Sequence, residues 1–222
     1  MKNHSARDAK VGESRWPMTF AVMATGSLFF VIPEEFRMSD SWRYIYLALL
    51  VGLLAILIIA DPGRINRESR ALRIVTGAML GMITLVTAVS AFRLVMGLIT
   101  DSRFESPGKL LMIGGIIWVT NVLAFALWYW HLDSGGPAAR AMHDFRMRPA
   151  FRFPEQGIPS IVGEDWYPKF VDYLALSFNT ATAFSPTDIA AIRHWPKLSM
   201  ITESAISLSL IGLVLARAVN VL

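Results

Sequence analysis

Oxygen-bearing side chains are concentrated in a short stretch near the C-terminal end of the sequence. They are Thr180, Thr182, Ser185, Thr187 and Asp188. The amphipathic segment that leads into them, 170–182, would form about 20 Å of helix, which is too short to cross a bilayer. Backbone that is not helical is tolerated at membrane depth only where it is buried in protein or lines a water-filled cavity. The pattern therefore indicates a re-entrant segment beside a pore or vestibule, and the alternative is an interfacial helix and loop without a water path.

The elements that must position this segment are apolar helices. Of the 222 residues, 54% are hydrophobic and only 17% are charged, and the mean hydropathy is +0.47. This is far more apolar than a soluble domain of the same length requires. Because a bilayer core needs about 20 apolar residues per helix, the sequence predicts five transmembrane spans. They cover residues 16–32, 42–60, 74–99, 110–130 and 198–221.

The N-terminal part predicts a mobile tail, residues 1–15, followed by three transmembrane helices within residues 16–107. The tail is polar, and Pro33, Glu34 and Glu35 follow the first apolar segment where a signal peptide would carry small cleavage-site residues. We therefore expect no cleaved signal peptide, and a multi-pass protein of the plasma (inner) membrane. The 21 Lys and Arg residues against 17 Asp and Glu indicate membrane topology, and we expect no nucleic-acid partner. The absence of cysteine excludes disulfides and cysteine-ligated metals.

A row of basic residues follows the second predicted span. Arg64, Arg67, Arg70 and Arg73 recur at every third position, which predicts that they lie along one side of a short helix leading into the third span. Phospholipid headgroups are the partner that such a row would meet at a membrane surface. A phosphate group of a bound ligand is the alternative.

The polar region 132–169 contains the other candidate ligands. His131 would need Asp133, His143 and Asp144 to complete a metal site, and their spacing matches no metal motif, so we expect no metal. The Pro and Gly residues scattered through this region predict an irregular surface loop. It contains no nucleophile with its base and no phosphate-binding motif, so we expect neither an enzyme nor a bound cofactor.

The C-terminal segment also resembles a known family. Ser177, Phe178, Thr180, Thr182 and Asp188 fall, without a gap, on the Ser, the Phe, two Thr and the final Asp of Tyr-Phe-Ser-Phe-Val-Thr-Leu-Thr-Thr-Val-Gly-Tyr-Gly-Asp. That sequence is the pore helix and filter of tetrameric potassium channels. The resemblance covers about fifty residues and implies a pore module with an outer helix, a re-entrant pore helix and an inner helix.

Two further matches lie in the last helix. Glu203 falls where many bacterial potassium channels have a Glu early in the inner helix, and Ala216-Arg217-Ala218-Val219 resembles their Ala-Arg-Leu-Val. The whole chain, notably residues 132–137, 182–188 and 216–220, also resembles a family of uncharacterised bacterial integral-membrane proteins.

The filter positions depart from the potassium-channel pattern. Where that family has Thr-Val-Gly-Tyr-Gly, this chain has Ala183, Phe184, Ser185, Pro186 and Thr187. Without glycine, and with the φ angle of proline fixed, a ladder of backbone carbonyls for potassium is not expected. Ser207 stands at the family's hinge glycine. The resemblance then implies that a four-fold assembly turns the side chains of residues 180–188 into rings of hydroxyl and carboxylate, which favour hydrated cations with modest selectivity.

The sequence therefore predicts an all-α membrane protein with five transmembrane helices plus one re-entrant pore helix. The predicted pore module comprises residues 108–222: an outer helix 110–130, the surface loop 132–169, the re-entrant helix and filter-like loop 170–188, and an inner helix 198–221. We expect a homotetramer in the lipid bilayer that allows passive permeation of ions, weakly selective for cations rather than selective for potassium, with a monovalent cation as one candidate. A non-conducting oligomeric scaffold with a degenerate pore loop is the alternative. The predicted ion pathway consists of Thr180, Thr182, Ala183, Phe184, Ser185, Pro186, Thr187 and Asp188, supported by Glu203 and Ser207.

Overall fold

A computed structural model describes residues 12–33, 40–67, 69–100, 107–142, 149–182 and 188–221. Five long helices make up most of this part of the chain. They are α1 (Trp16–Val31), α2 (Asp40–Ala60), α3 (Arg70–Thr100), α4 (Pro107–Leu132) and α8 (His194–Val221). The remaining helices, α5 to α7, are shorter and lie between α4 and α8 in the sequence.

Four of the long helices are long and apolar enough to cross a membrane. These segments are Ser41–Ala60, Arg70–Ile99, Gly108–Gly135 and His194–Arg217. They coincide with the second to fifth predicted spans, and the prediction of an all-α membrane protein is confirmed at this level. The fifth candidate, α1, has 16 residues and falls below the length required of a span, so a count of five spans stays a prediction.

The starts of α1 and α3 and the ends of α2 and α4 meet at one end of the bundle, which we call the loop end. The strand β1 (Glu13–Ser14), just before α1, pairs antiparallel with β2 (Arg64–Ile65), just after α2. The side chains of Arg15 and Asp61 form a buried ion pair across the same junction, with Nη2 and Oδ2 3.2 Å apart. Residues 12–15 are thus part of the folded structure, whereas the sequence predicted a mobile tail as far as residue 15.

The four arginines of the predicted row do not lie on one helix. Arg64 belongs to β2, and α3 begins only at Arg70. Gly63, which has a positive φ of 76°, turns the chain after α2. The residues that follow are extended because they pair with β1. Arg70 and Arg73 are the two that lie on the first turn of α3.

The helix α4 lies in the centre of the bundle, in contact with α1, α3, α7 and α8. It is also the most deeply buried of the four spans, because helices cover it on several sides. Gly114 allows α8 to come close: a Cβ atom at this position would lie 2.8 Å from the side chain of Val214. A glycine in a transmembrane helix is typical of such a close approach.

The described parts of the region predicted as a surface loop, residues 132–142 and 149–169, contain short helices and a strand, and several of their side chains are buried. After a 3-10 turn (Asp133–Gly135) come α5 (Pro137–Met142), β3 (Phe151–Arg152), a second 3-10 turn (Pro154–Gly157) and α6 (Pro159–Val162). Phe151 and Phe153 are both buried and make edge-on ring contacts with Tyr173. The Pro and Gly content is compatible with this packing because the aromatic side chains between the turns point into the protein.

The helix α7 (Phe170–Thr182) has the bounds that the sequence predicts, with 13 residues. It starts at the loop end, where the Phe170 amide bonds to Glu13 in β1. The chain is back at the loop end by β4 (Ala190–Ala191), which pairs antiparallel with β3. The start of α7 and the strand β4 therefore lie at the same end of the bundle.

Candidate functional site

The helix α7 lies between α4 and α8 and is hydrogen bonded to both. The Ser177 hydroxyl donates to the carbonyl of Val122 in α4 at 2.7 Å. On the other side, the hydroxyl of Ser204 in α8 donates to the Thr180 carbonyl at 2.9 Å. The rings of Phe178 and Trp118 meet edge to face, with centroids 5.7 Å apart. These contacts fix the position of α7 within a single chain.

A buried carboxyl group connects the same three helices. Glu203 of α8 is 0% exposed. The Tyr129 hydroxyl of α4 donates to Glu203 Oε2 at 2.6 Å, and the Ser177 hydroxyl of α7, which has a single proton for this carboxyl and the Val122 carbonyl, lies within hydrogen-bond distance of Oε1. A carboxyl group without partners would be costly in an apolar helix bundle, but each oxygen of this one is hydrogen bonded. Glu203 thus connects α7 with α4 and α8 within a single chain.

A second polar contact lies one helical turn further along α8. The Asn121 side-chain amide of α4 donates to Ser207 Oγ at 3.1 Å, and both residues are buried. Ser207, which the sequence placed at the hinge position of an inner helix, therefore faces α4 in this chain. Its hydroxyl contributes to the packing of α4 against α8.

The predicted ion pathway lies only partly within the described residues. Thr180 is buried, and its hydroxyl donates to the Leu176 carbonyl at 2.8 Å. Thr182 is half-buried at the end of α7 and donates to the Asn179 carbonyl at 3.0 Å, whereas Asp188 is exposed. Five pathway residues lie outside the described part: Ala183, Phe184, Ser185, Pro186 and Thr187. Thr180 thus packs inside the chain, and the rest of the pathway stays a prediction.

The start of α7 is held by Glu13, a residue from the region predicted to be a mobile tail. Its Oε1 accepts the Phe170 backbone N–H at 2.5 Å, and its Oε2 accepts the Trp130 indole N–H at 2.8 Å. Burial raises the pKa of the Glu13 carboxyl above its ordinary value of 4.5, while Arg140 and the two N–H donors oppose that shift. Glu13 therefore joins the N-terminal strand, the end of α4 and the start of α7.

Asp133 makes a similar connection from the end of α4. Its Oδ2 accepts the Tyr173 hydroxyl of α7 at 2.5 Å, and its Oδ1 accepts the Ala150 backbone N–H at 2.7 Å. The side chain is 0% exposed. Asp133 therefore fixes α7 and the segment before β3 to the same point.

Arg140 of α5 is the charged residue at the centre of this cluster. It is 1% exposed, and its Nη1 donates to the carbonyls of Trp130 and Asp133 at 2.7 and 2.8 Å. The guanidinium lies over the Tyr173 ring at 4.9 Å from the centroid, and its Nη2 is 4.0 Å from Glu13 Oε2. A cation–π contact and a nearby carboxylate thus offset part of the cost of burying the charge.

Sequence reasoning missed Glu13, Arg140 and Tyr173 as members of this cluster. The motif 132–137 was the available signal: Gly135 and Gly136 have φ angles of 84° and 98°, a region that favours glycine. A tight turn directly after a transmembrane helix marks a place where the backbone must fold back on itself. What the motif could not indicate is which distant side chains meet there.

The groups considered for a metal site are used in other ways or lie outside the described residues. Both carboxylate oxygens of Asp133 have hydrogen-bond donors, and His143 and Asp144 are not among the described residues. Within the described part of the chain, no group of three His, Cys, Asp or Glu residues has an arrangement that could hold a metal ion. His131 instead lines a cleft at the loop end, together with Arg73.

The fold defines a class, an all-α protein with four helices long and apolar enough to cross a membrane, in which the short helix α7 packs between α4 and α8. Comparison of the chain with protein-family models, with curated proteins and with solved structures gives no match. The function is therefore argued from the geometry of α4, α7 and α8.

Proposed function

We propose that the protein is channel-like and allows passive movement of ions across the membrane, with a weak preference for cations. The observation that supports the proposal is the position of α7, which starts at the loop end and packs between α4 and α8, while β4, the next described element, also lies at the loop end. A segment that enters a membrane part-way and turns back is stable where its turn borders water or protein. In this proposal α4 is the outer helix, α7 the pore helix and α8 the inner helix.

A single copy of α7 does not enclose a pore, so the proposal requires an oligomer, and the channel resemblance suggests a homotetramer. One face of α8 is exposed in the chain and lined by small or short side chains. They are Thr202, Ala205, Ser209, Gly212 and Ala216. Residues at such spacings share one face of a helix, and small residues allow two helix backbones to approach closely in a membrane. This exposed face is the proposed contact with a neighbouring copy.

The cation preference would come from oxygen atoms at the end of the pathway. Asp188 is exposed at the loop end, just before β4, so four copies would present a ring of carboxylates. Such a ring raises the local concentration of cations through its electric field. Without a glycine-containing filter, we expect little discrimination between K⁺ and Na⁺.

Flux from liposomes tests the proposal. Protein reconstituted into liposomes should dissipate both a K⁺ and a Na⁺ gradient, and Asp188→Asn should reduce this flux most at about 10 mM salt, where charges are weakly screened. Asp165→Asn removes an equally exposed carboxylate from the described part of the 132–169 region and serves as the matched control.

Two results would count against this mechanism. Absence of flux from a correctly assembled oligomer would remove the channel function. If Asp188→Asn changes the flux equally at about 10 mM and about 1 M salt, the effect is not electrostatic. Asp188 would then only stabilise the position of the loop.

The second candidate is a non-conducting oligomeric scaffold with a degenerate pore loop. It is favoured by the inward orientation of three groups that the channel resemblance places near a pore: Thr180, Glu203 and Ser207 are all buried within one chain. A stable oligomer without ion flux would support the scaffold. Flux with the predicted salt dependence would exclude it.

A further inference from the structure

A cleft lined by basic residues lies at the loop end, between the start of α3 and the end of α4. Its outer part, with about 830 Å³ of empty space open to solvent, is lined by Ser69, Arg70, Arg73, Ile74 and His131. A deeper part shares Ser69, Arg73 and His131 with it and extends to Arg67 and Asp61. We call the two parts together the arginine cleft. Trp130, which donates to Glu13, also lines the deeper part, so the arginine cleft borders the contacts that hold the start of α7.

The arginines of this cleft are available to an incoming ligand. Arg67, Arg70 and Arg73 are all exposed. Among the residues that the structure describes, no ion pair joins any of the three to a carboxylate. Arg73 lines both parts of the cleft, with Arg67 in the deeper part and Arg70 in the outer part. Like charges that share a cleft repel one another, and a bound anion would relieve that repulsion.

The acidic residue of the cleft is already occupied. Asp61 Oδ2 accepts hydrogen bonds from Arg15 Nη2 at 3.2 Å and from the backbone N–H groups of Asn66 and Arg67 at 3.1 and 3.3 Å. The charge of Asp61 is therefore neutralised by Arg15 and does not cancel that of the exposed arginines. The described residues that line the cleft therefore carry a net positive charge.

Further donors lie at the back of the cleft. His131 is buried, with its ring edge-on to Trp128 at 6.1 Å, and a Cβ atom at Gly77 would lie 3.6 Å from its Nε2. The first N–H groups of α3, which begins at Arg70, have no partner within the helix and add a partial positive charge. The arginine cleft thus combines guanidinium, imidazole and backbone donors.

We infer that the arginine cleft binds the phosphate group of an anionic ligand. Guanidinium groups form paired hydrogen bonds to phosphate oxygens and retain their charge at any physiological pH. The apolar span of α3 begins at Arg70, which puts the cleft at the depth of lipid headgroups. Ile74, 65% exposed beside it, offers an apolar surface to an acyl chain. The same chemistry would accept a soluble phosphate, so the test must separate the two sources.

Thermal unfolding of the purified protein in detergent provides that test. Short-chain phosphatidylglycerol should raise the Tm of the wild type, whereas phosphatidylcholine, which has no net charge, should raise it much less. The variant Arg70→Gln/Arg73→Gln should bind phosphatidylglycerol about tenfold more weakly or lose the shift. Inorganic phosphate at about 10 mM is the second arm. A shift of the same size that depends on the same arginines would assign the site to a soluble phosphate.

The control variant is Arg152→Gln/Lys197→Gln, which removes two exposed positive charges from the same end of the bundle but from outside the cleft. It should respond to phosphatidylglycerol as the wild type does. Equal responses of the wild type and Arg70→Gln/Arg73→Gln would overturn the inference. So would an equal loss of response in the control pair, because it would show only a general effect of surface charge.

A second variant covers the case in which the arginine variant does not fold. Ser69→Asp puts a carboxylate into the cleft at the residue before α3, where an acidic side chain is compatible with a helix start. It should abolish the shift caused by phosphatidylglycerol without lowering the Tm of the protein alone. A shift equal to that of the wild type would contradict the site.

Discussion

The carboxyl group of Glu203 lies inside an apolar helix bundle, yet each of its oxygens has a hydroxyl partner. Tyr129 supplies one from α4 and Ser177 supplies the other from α7. Removal of the carboxyl leaves the Tyr129 hydroxyl without its acceptor, whereas the Ser177 hydroxyl can still donate to the Val122 carbonyl. The hydrogen bonds of Glu203 therefore hold α7 in position against α4 and α8.

Replacing Glu203 with Leu should destabilise the chain. A buried hydroxyl left without a partner costs about 1–3 kcal/mol, and for a chain of this size 1 kcal/mol corresponds to about 2–4 °C in Tm. We expect the Tm of purified Glu203→Leu in mild detergent to fall by about 5 °C. Ile201→Val, at an exposed position on the same helix, is the control and should unfold like the wild type. An unchanged Tm in Glu203→Leu would show that the hydrogen bonds do not support α7.

At the scale of elements, α7 is held at its start as well as along its length. Glu13 accepts the Phe170 amide, and Asp133 accepts the Tyr173 hydroxyl. The strand β1, α5 and the end of α4 all contribute to this attachment through Glu13, Arg140 and Trp130. The position of α7 thus depends on a strand that lies more than 150 residues earlier in the chain.

Glu13→Ala should loosen this attachment. It removes the acceptor of the Phe170 and Trp130 N–H groups and leaves the buried Arg140 without its nearest carboxylate. We expect a Tm lower by at least about 5 °C and faster amide hydrogen exchange at the start of α7. Ser14→Ala, an exposed neighbour in the same strand, should change neither quantity. Equal exchange rates in the two variants would mean that β1 does not hold α7.

One side of the helix α8 packs against the rest of the chain, and the other side is exposed. Ser207 points inward and bonds to Asn121, whereas Gly212 lies on the exposed face, where a Cβ atom would meet nothing within 4 Å. From the sequence alone both positions are small residues suited to contacts between copies. Only their orientation in the bundle separates a residue that packs the chain from one that is open to a neighbour.

A pair of leucine substitutions tests this difference. Gly212→Leu should leave the Tm of the chain nearly unchanged but weaken the oligomer, because a large side chain keeps two helix backbones apart. Ser207→Leu should lower the Tm, because it overfills a buried site and removes the partner of Asn121. Crosslinking in mild detergent, followed by size-exclusion chromatography, measures assembly. A monomeric wild type would exclude the proposed tetramer, and an intact Gly212→Leu oligomer would exclude this face of α8.

At the scale of the whole molecule, the sequence distributes basic residues unequally between the two sides of the predicted five-span topology. On that topology, 15 of the Lys and Arg residues fall on the side of the loop end and 5 on the other side, with Arg93 inside the third span. Cytoplasmic loops carry an excess of Lys and Arg, so this distribution predicts that the loop end faces the cytoplasm. The resemblance to potassium channels implies the opposite orientation. We give more weight to the charge distribution, since the filter already departs from that family.

A reporter fused after Leu222 distinguishes these orientations. With the loop end in the cytoplasm, a protein that fluoresces only in the cytoplasm should remain dark, and a phosphatase that is active only in the periplasm should be active. A fluorescent fusion would show that Leu222 lies in the cytoplasm and that the loop end faces the opposite side of the membrane. It would also remove the cytoplasmic leaflet as the source of a lipid phosphate for the arginine cleft.

The sequence by itself determined the features that depend on local patterns. The length and apolarity of the spans, and the bounds of α7 at Phe170 and Thr182, follow from the chain because helix formation and membrane burial depend on neighbouring residues. Only the tertiary structure decided the partners of the buried polar groups. Glu13 meets the Phe170 amide across 157 positions, and Tyr129 meets Glu203 across 74. No periodicity encodes such pairs, because they form only when separate helices pack and each buried carboxyl must find donors.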